Sequence, residues 1–398
     1  MSSQRPLSFR PYRRHRARKQ SGRPSTSPDV IVVGGGVIGL SIAWRASERG
    51  LAVTVVEESP GRGASWAAAG MLAPVTEVHP GEEQVLDLGV ASLRLYPEFV
   101  ARLEELTGLS TGYREGGTLM AAPTGDDYAA LEDLSLVQER LGLKVERLKR
   151  KEARAIEPAL TPGLRAAWFV EGDHHVDNRA LVEAVAEACK RSGVEIVADT
   201  VSEVIVSGTR ATGVRLASGG VLDGGTLVVA AGCWSGVLPG IPDEFRPPVR
   251  PVKGQLLYLR GPADDQLLTH NVRGLHVYIV PRSDGRVVVG ATVEERGFDM
   301  TVTAGAVYEL LRDAFELVPG LSELELMECV AGLRPGSPDN APMIGETGLE
   351  GLLVATGHYR NGILLTPLTA EAMADLLVTG TAPESIAAAS PLRFQGAR

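Results

Sequence analysis

"DVIVVGGGVIGLSIAWRASERGLAVTVVEES", residues 29–59, reads as a strand, a glycine turn, a helix and a second strand. Gly34, Gly36 and Gly39 supply G-x-G-x-x-G directly behind the apolar run 30–33, where the turn must tighten and the backbone must come close to a pyrophosphate. Glu57 closes the second strand, and its carboxylate can accept hydrogen bonds from both ribose hydroxyls of an adenosine. A 2'-phosphate there would meet like charge, which disfavours NADP. Strand, helix and acid agree in spacing. The stretch is therefore a dinucleotide site, with Gly34, Gly36, Val37, Ile38, Gly39, Glu57 and Glu58 as candidate cofactor-binding residues. FAD and NAD share the fingerprint, so this stretch does not choose between them.

The rest of the chain sets bounds on that site. Its 398 residues allow two domains, each with a sizeable core. A hydrophobic fraction of 44% and a charged fraction of 22% are ordinary for a globular protein, and no apolar run approaches the roughly 20 residues that span a bilayer. The formal net charge of -9 argues against nucleic acid as the main partner. Cys189, Cys233 and Cys329 are odd in number and far apart, with no zinc-site spacing, so no metal site and a reduced, cytoplasmic setting are expected. Cys233, in "VVAAGCWSG", reads as a small buried filler. Residues 1–28 are basic, polar and rich in Ser and Pro; they predict a solvated, disordered tail without the apolar core of a secretory signal.

After the second strand comes "GRGASWAAAGMLAP", residues 61–74, where small side chains let the backbone approach a flat ligand. Four stretches, "SWAAAGMLAP", "YIVPRSDGRVVVGAT", "AGLRPGSPDNAPMIG" and "GHYRNGILL", together resemble the glycine oxidase branch of the D-amino-acid oxidase family of FAD-dependent amine oxidases. The resemblance covers about residues 29–380. It implies an α/β fold in which a Rossmann-like FAD-binding domain is interleaved with a substrate domain built on a large antiparallel or mixed β-sheet. The implied segments are 29–84, 160–247 and 327–380 for the FAD domain and 85–159 and 248–326 for the substrate domain, followed by a C-terminal tail, 381–398. The residues are compatible with this. "EVIVSGTRATGVRLASGGVLDGGTLVVAAG" predicts a meander followed by a buried strand, and "VKGQLLYLR", "LHVYIVPR" and "RVVVGATVEE" predict strands of the second sheet. Residues 85–159 carry helices with apolar spacing i, i+3, i+4. In the run "VKGQ", where a glutamate in place of Gln255 would also be familiar in the family, the glutamine is expected to alter the substrate-domain sheet locally.

The resemblance also assigns chemistry. Ala64, Ser65, Ala69, Gly70, Met71 and Val201 would contact FAD, as would His358, Tyr359, Arg360, Asn361, Gly362, Ile363 and Leu364 of "GHYRNGILL", read as a helix start facing the flavin. No cysteine follows Cys329 to carry a covalent flavin, so the FAD is expected to be noncovalent. Arg334, held by Pro335 and Gly336, has a planar fork suited to a substrate carboxylate; a structural ion pair with Asp339 is the competing reading. Tyr278 would add a hydrogen bond, with His276 two residues away on the same strand face. Arg360 at a helix start opposes the helix dipole unless an anion is near, so it is expected to face the ligands.

The implied reaction is oxidative deamination of glycine or another small amine. Hydride passes to flavin N5, the imine gives glyoxylate and ammonia or supplies the thiazole of thiamine, and molecular oxygen becomes hydrogen peroxide. No side-chain acid or base is essential, and a homo-oligomer is implied. Sarcosine or D-amino-acid oxidation, a dehydrogenase serving a quinone or a partner protein, and a flavin-binding protein without turnover stay open.

Overall fold

Val30–Val33 lies inside a six-stranded sheet in the computed structural model of the protein, which describes residues 27–395. Residues 1–26 of the expected basic tail lie outside the described residues. The strand order across this sheet is Met343–Glu346, Leu352–Thr356, Thr226–Val229, Val30–Val33, Val53–Val56, Glu195–Val197. All neighbours pair in parallel except the edge strand Met343–Glu346. The central strands are rich in β-branched residues and buried throughout except at Thr226, as a parallel sheet covered on both faces requires.

Helices α1 (Val37–Glu48), α2 (Glu83–Thr107), α3 (Gly125–Arg140), α4 (Arg150–Ile156), α5 (Asn178–Arg191), α6 (Ala304–Leu317) and α7 (Thr366–Thr379) complete the regular structure. Helices α1, α2, α5 and α7 pack together on one face of the parallel sheet, around Leu40, Trp44, Tyr96, Leu181 and Met373. The other face is covered by a three-stranded antiparallel sheet, Val201–Ser207, Arg210–Leu216 and Val221–Asp223, the meander that the alternation of residues 201–223 predicts.

The second large sheet has eight strands in the order Glu325–Gly336, Arg250–Arg260, Arg286–Gly290, Tyr278–Pro281, Asn271–Arg273, Thr118–Ala122, Ala166–Val170, Glu146–Lys149. It is mixed, because Asn271–Arg273 runs parallel to Thr118–Ala122 while the other pairs are antiparallel. Alternation along Arg250–Arg260 sends Leu256 and Tyr258 to the face that meets residues 67–69, and Leu257 and Leu259 to the face that meets α6.

Sheet membership corrects the expected segment boundaries. Strands Ala166–Val170 and Glu325–Gly336, expected on the FAD side, belong to the eight-stranded sheet. Helix α2, expected on the substrate side, packs on α5 and α7 instead, since its apolar stripe carries Leu88, Tyr96, Phe99 and Leu103 into that core. Residues 381–395 are no tail: Ile386 and Ala389 are buried, and Arg393 donates to Asp339 at 2.8 and 3.0 Å. Among the described residues no helix is long and apolar enough to cross a membrane.

Candidate active site

Between the two large sheets runs one continuous cavity of about 1730 Å³. One end is set by the glycine turn. Gly34 has φ +105°, and a Cβ there would lie 2.6 Å from the Ala230 carbonyl oxygen, so the turn closes only with glycine. Gly36 is the N-cap of α1 and, with Gly34, Val37 and Ile38, faces the cavity. Gly39 does not; its Cα packs on the Gly34 carbonyl, the helix-to-strand approach that the third glycine of the motif provides. Glu57 follows the second strand. Its Oε2 accepts from Gly35 N at 3.0 Å and its Oε1 from Ser59 N at 2.9 Å, leaving lone pairs toward the cavity that Glu57 and Glu58 both line. Val201 lines the same end from the three-stranded sheet.

The middle is walled by residues 61–71, whose carbonyls are tied down from behind. Asn178 Nδ2 donates to the carbonyls of Ser65 and Trp66 at 2.8 and 3.1 Å, and Arg282 Nη2 to Ala69 at 2.6 Å. Val176 N donates to Gly70 at 2.8 Å, and Trp66 lies between the guanidinium groups of Arg62 and Arg179. Arg282 is buried, and Asp177 beside it also pairs with Arg286 at 2.5 Å. Burial alone would raise the Asp177 carboxyl, but Arg282 and Arg286 outweigh it and hold it below the usual carboxylate range. Ala64, Ser65, Ala69, Gly70 and Met71 therefore present a fixed backbone to the cavity.

At the far end stand Arg334 and Tyr278. Arg334 Nη1 donates to the carbonyls of Thr292 at 3.0 Å and Lys253 at 3.4 Å. No ion pair joins Arg334 to a carboxylate among the described residues, and the competing Asp339 is taken by Arg393. Gly254 makes room for it, since a Cβ at that position would fall inside the Arg334 guanidinium. Gly290, directly across from Tyr278, does the same for the tyrosine: a Cβ would lie 2.6 Å from the ring and hydroxyl. Burial pushes the Tyr278 hydroxyl up to about 12, although the neighbouring Arg334 acts in the opposite direction. It remains a donor at any physiological pH.

The comparisons with known proteins agree with this architecture. A family model described as "FAD dependent oxidoreductase" (DAO) matches residues 29–376. The chain belongs to the DAO family of FAD-dependent oxidoreductases. It is 35% identical to a glycine oxidase of Bacillus licheniformis, over 88% of this chain and 93% of that protein. It is 37% identical to the bifunctional protein ThiO/ThiG of a Synechocystis strain over 93% of this chain, but spans only 54% of that protein's length. The chain thus covers about half of such bifunctional relatives. The solved structure of glycine oxidase from Geobacillus kaustophilus superposes with a TM-score of 0.84 at 34% identity, covering 92% of this chain and 98% of that one.

The cavity fits the FAD of the DAO family: a glycine cradle at a helix N-terminus, an acid past the second strand and a wall of small residues follow one another along it. Other expectations need correction. His276 does not share a strand face with Tyr278, because the strand begins only at Tyr278; His276 sits on the exposed preceding turn and lines the cavity from there. "GHYRNGILL" is no α-helix start. It forms a short 3-10 turn, Tyr359–Asn361, and α7 begins at Thr366. Its carbonyls are held by α2, where Tyr96 donates to Ile363 and Ser92 to Leu364, both at 2.6 Å.

His358, Tyr359, Arg360, Gly362 and Ile363 reach the cavity, whereas Asn361 and Leu364 face Val85 and Leu86 of α2. Arg360 has the anion that its own neighbourhood in sequence lacks, an ion pair with Glu82, and its Nη2 lies 2.9 Å from His79 Nδ1.

Sequence reasoning missed residues 230–234, 292–294 and 296 as cavity walls. The signal for the first was the small-residue run "AAG" at the carboxyl end of a parallel strand, where ligands of such sheets bind. Cys233 within it is buried, and burial pushes its thiol up to about 12, in keeping with a filler.

Proposed function

We propose that this DAO-family protein oxidises glycine or a similarly small amino acid. The observation that carries the reading is Arg334, a cavity guanidinium whose partners are carbonyls and which has no carboxylate beside it. Of the other arginines that line the cavity, Arg273, Arg296, Arg312 and Arg360 stand beside Glu77, Glu294, Asp313 and Glu82, and Arg62, in the middle wall, stacks on Trp66. Arg334, held by carbonyls and beside Tyr278, is the guanidinium left to take a substrate carboxylate in two parallel hydrogen bonds. Tyr278 donates a further one, while His276 and Arg360 border the pocket.

Gly34, Gly36, Val37 and Ile38 would hold the FAD pyrophosphate, Glu57 a ribose, Val201 the adenine side, and residues 64–71 with His358–Gly362 the ring system. When bound, the flavin supplies the two-electron acceptor for the substrate's α C–H and passes the electrons on to oxygen, giving peroxide. The protein's part is to fix the carboxylate, hold the amine unprotonated beside the wall 67–71 and exclude water. In this reading the imine hydrolyses to glyoxylate and ammonia or serves thiazole assembly for thiamine.

The test is direct. Glycine added without oxygen should bleach the visible flavin spectrum, and air should restore it with stoichiometric peroxide; sarcosine and D-alanine, run in parallel, rank the substrates. Bleaching with slow recovery in air would move the protein to another electron acceptor. A flavoprotein that none of the three amines bleaches would overturn the proposal.

A further inference from the structure

The run "VKGQ" contributes nothing directly to the cavity except Gly254, because alternation points Lys253 and Gln255 to the opposite face, toward α6. Both side chains are nevertheless polar and buried. A buried polar group is retained in a strand when it has partners, and both of these do. Gln255 Nε2 donates to Glu294 Oε1 at 2.7 Å and Gln255 Oε1 accepts from Thr303 N, at the N-cap of α6, at 2.8 Å. Thr292 Oγ1 accepts from Gln255 N at 2.9 Å and donates to the same Glu294 oxygen at 2.6 Å. Lys253 Nζ lies 3.7 Å from Glu294 and 3.4 Å from Asp299, and Lys253 N and O exchange hydrogen bonds with Glu294 O and N, both at 2.9 Å. The carbonyls of Thr292 and Lys253 are the two acceptors that hold Arg334.

We propose that Gln255 and Glu294 are positioning residues for the substrate-carboxylate clamp, and that an amide at 255 facing a carboxylate at 294 is the pairing that keeps the Thr292 carbonyl under Arg334. The proposal rests on the reading of Arg334 given above. Its chemical content is a donor count. Glu294 is an acceptor only, so the residue at 255 must donate to it and also accept from Thr303 N, which Gln does and an ionised Glu does not. A carboxylate at 255 would stand against Glu294. The charged groups around the pair are Lys253, Asp299 on the far side of Lys253, Arg296 at 4.0 Å from Glu294, and Arg334 itself. With three carboxylates facing Lys253 and the more distant Arg296, the pair would take up a proton to restore the hydrogen bond.

The experiment uses the flavin-loaded protein and reads two quantities: the dissociation constant of acetate, a carboxylate with no amine to oxidise, from the flavin spectral perturbation, and the KM and kcat for glycine, each across pH 6 to 9. Gln255→Glu should weaken acetate and raise KM by roughly tenfold at high pH with a smaller change in kcat, and recover toward the parent as the pH falls. The exchanged pair Gln255→Glu with Glu294→Gln restores one donor and one acceptor and should bind acetate as the parent does at all these pH values.

An unchanged single variant, a loss independent of pH, or a double variant as weak as the single would overturn the proposal. If the single variant does not fold, the double variant decides by the same criterion. Arg334→Ala is the control. If it leaves acetate binding intact, the reading of the clamp has failed; if it abolishes binding while Gln255→Glu does nothing, only the positioning role has failed.

Discussion

The glycines at the two ends of the cavity do different jobs. At the cofactor end, the Cβ that Gly34 or Gly39 lacks would run into backbone, the carbonyls of Ala230 and Gly34. At the substrate end, the Cβ that Gly254 or Gly290 lacks would run into the tips of side chains, Arg334 and Tyr278. Backbone at the end of a hydrogen-bonded buried sheet cannot yield, whereas a guanidinium can swing away. The first kind of glycine is therefore coupled to folding and flavin retention, and the second to ligand geometry alone.

Substitutions can break or sharpen that contrast. The largest effect is expected from Gly34→Ala, which combines a positive φ with the contact to Ala230: about 2–4 kcal/mol of stability lost and a colourless protein, read by thermal unfolding and flavin content. A yellow, stable variant would dissolve the distinction. Next comes Arg334→Ala, expected to lower kcat/KM for glycine by about 2–4 kcal/mol in transition-state terms with flavin content unchanged. Smaller, and more telling, is Gly254→Ala. Because the obstructed atoms belong to a movable guanidinium, KM should rise by about 1–2 kcal/mol equivalent while the melting temperature stays within error. A fall in melting temperature as large as that of Gly34→Ala would place Gly254 among the fold-coupled positions.

The smallest effect concerns the bridge between the two ends. Asp177 caps α5 through Arg179 N and Ala180 N, pairs with Arg286 from the eight-stranded sheet and lies 3.8 Å from Arg282. Its carboxyl titrates lower in the folded chain than in the unfolded one. Its stabilisation is thus present above the unfolded value of about 3.9 and is lost as pH falls through the lower folded value. Asp177→Asn should cost roughly 1–2 kcal/mol near neutrality and flatten the acid limb of the stability curve, measured by denaturant titration from pH 3 to 7. An acid limb as steep as the parent's would free Asp177 of that role.

What could be read without the structure follows the same division. The turn at Gly34 to Gly39 and the acid at Glu57 were legible because they depend on neighbours within about 25 residues and on local backbone geometry. His276 misled, because period-two alternation carries information only where a strand has begun, and here it begins at Tyr278; Asn361 and Leu364, assigned by resemblance to a helix start, stand off the cavity because the helix begins only at Thr366. Arg360 reaches the cavity as expected, but the anion beside it could not be read from its neighbours. Its counter-ion, Glu82, is 278 residues away in sequence.

The amino-acid sequence by itself determined the dinucleotide turn, the buried parallel strands around it and the alternating strands of a second sheet, since each of these follows from short-range sterics and periodicity, whereas the proposed carboxylate clamp came from the family resemblance. The tertiary structure alone decided which strands share a sheet, that α2 packs behind the "GHYRNGILL" turn, which of the cavity arginines stand beside a carboxylate, and that Gln255 and Glu294 stand beneath Arg334. Those relations depend on contacts between residues far apart in the chain, and only packing brings such groups within hydrogen-bonding distance.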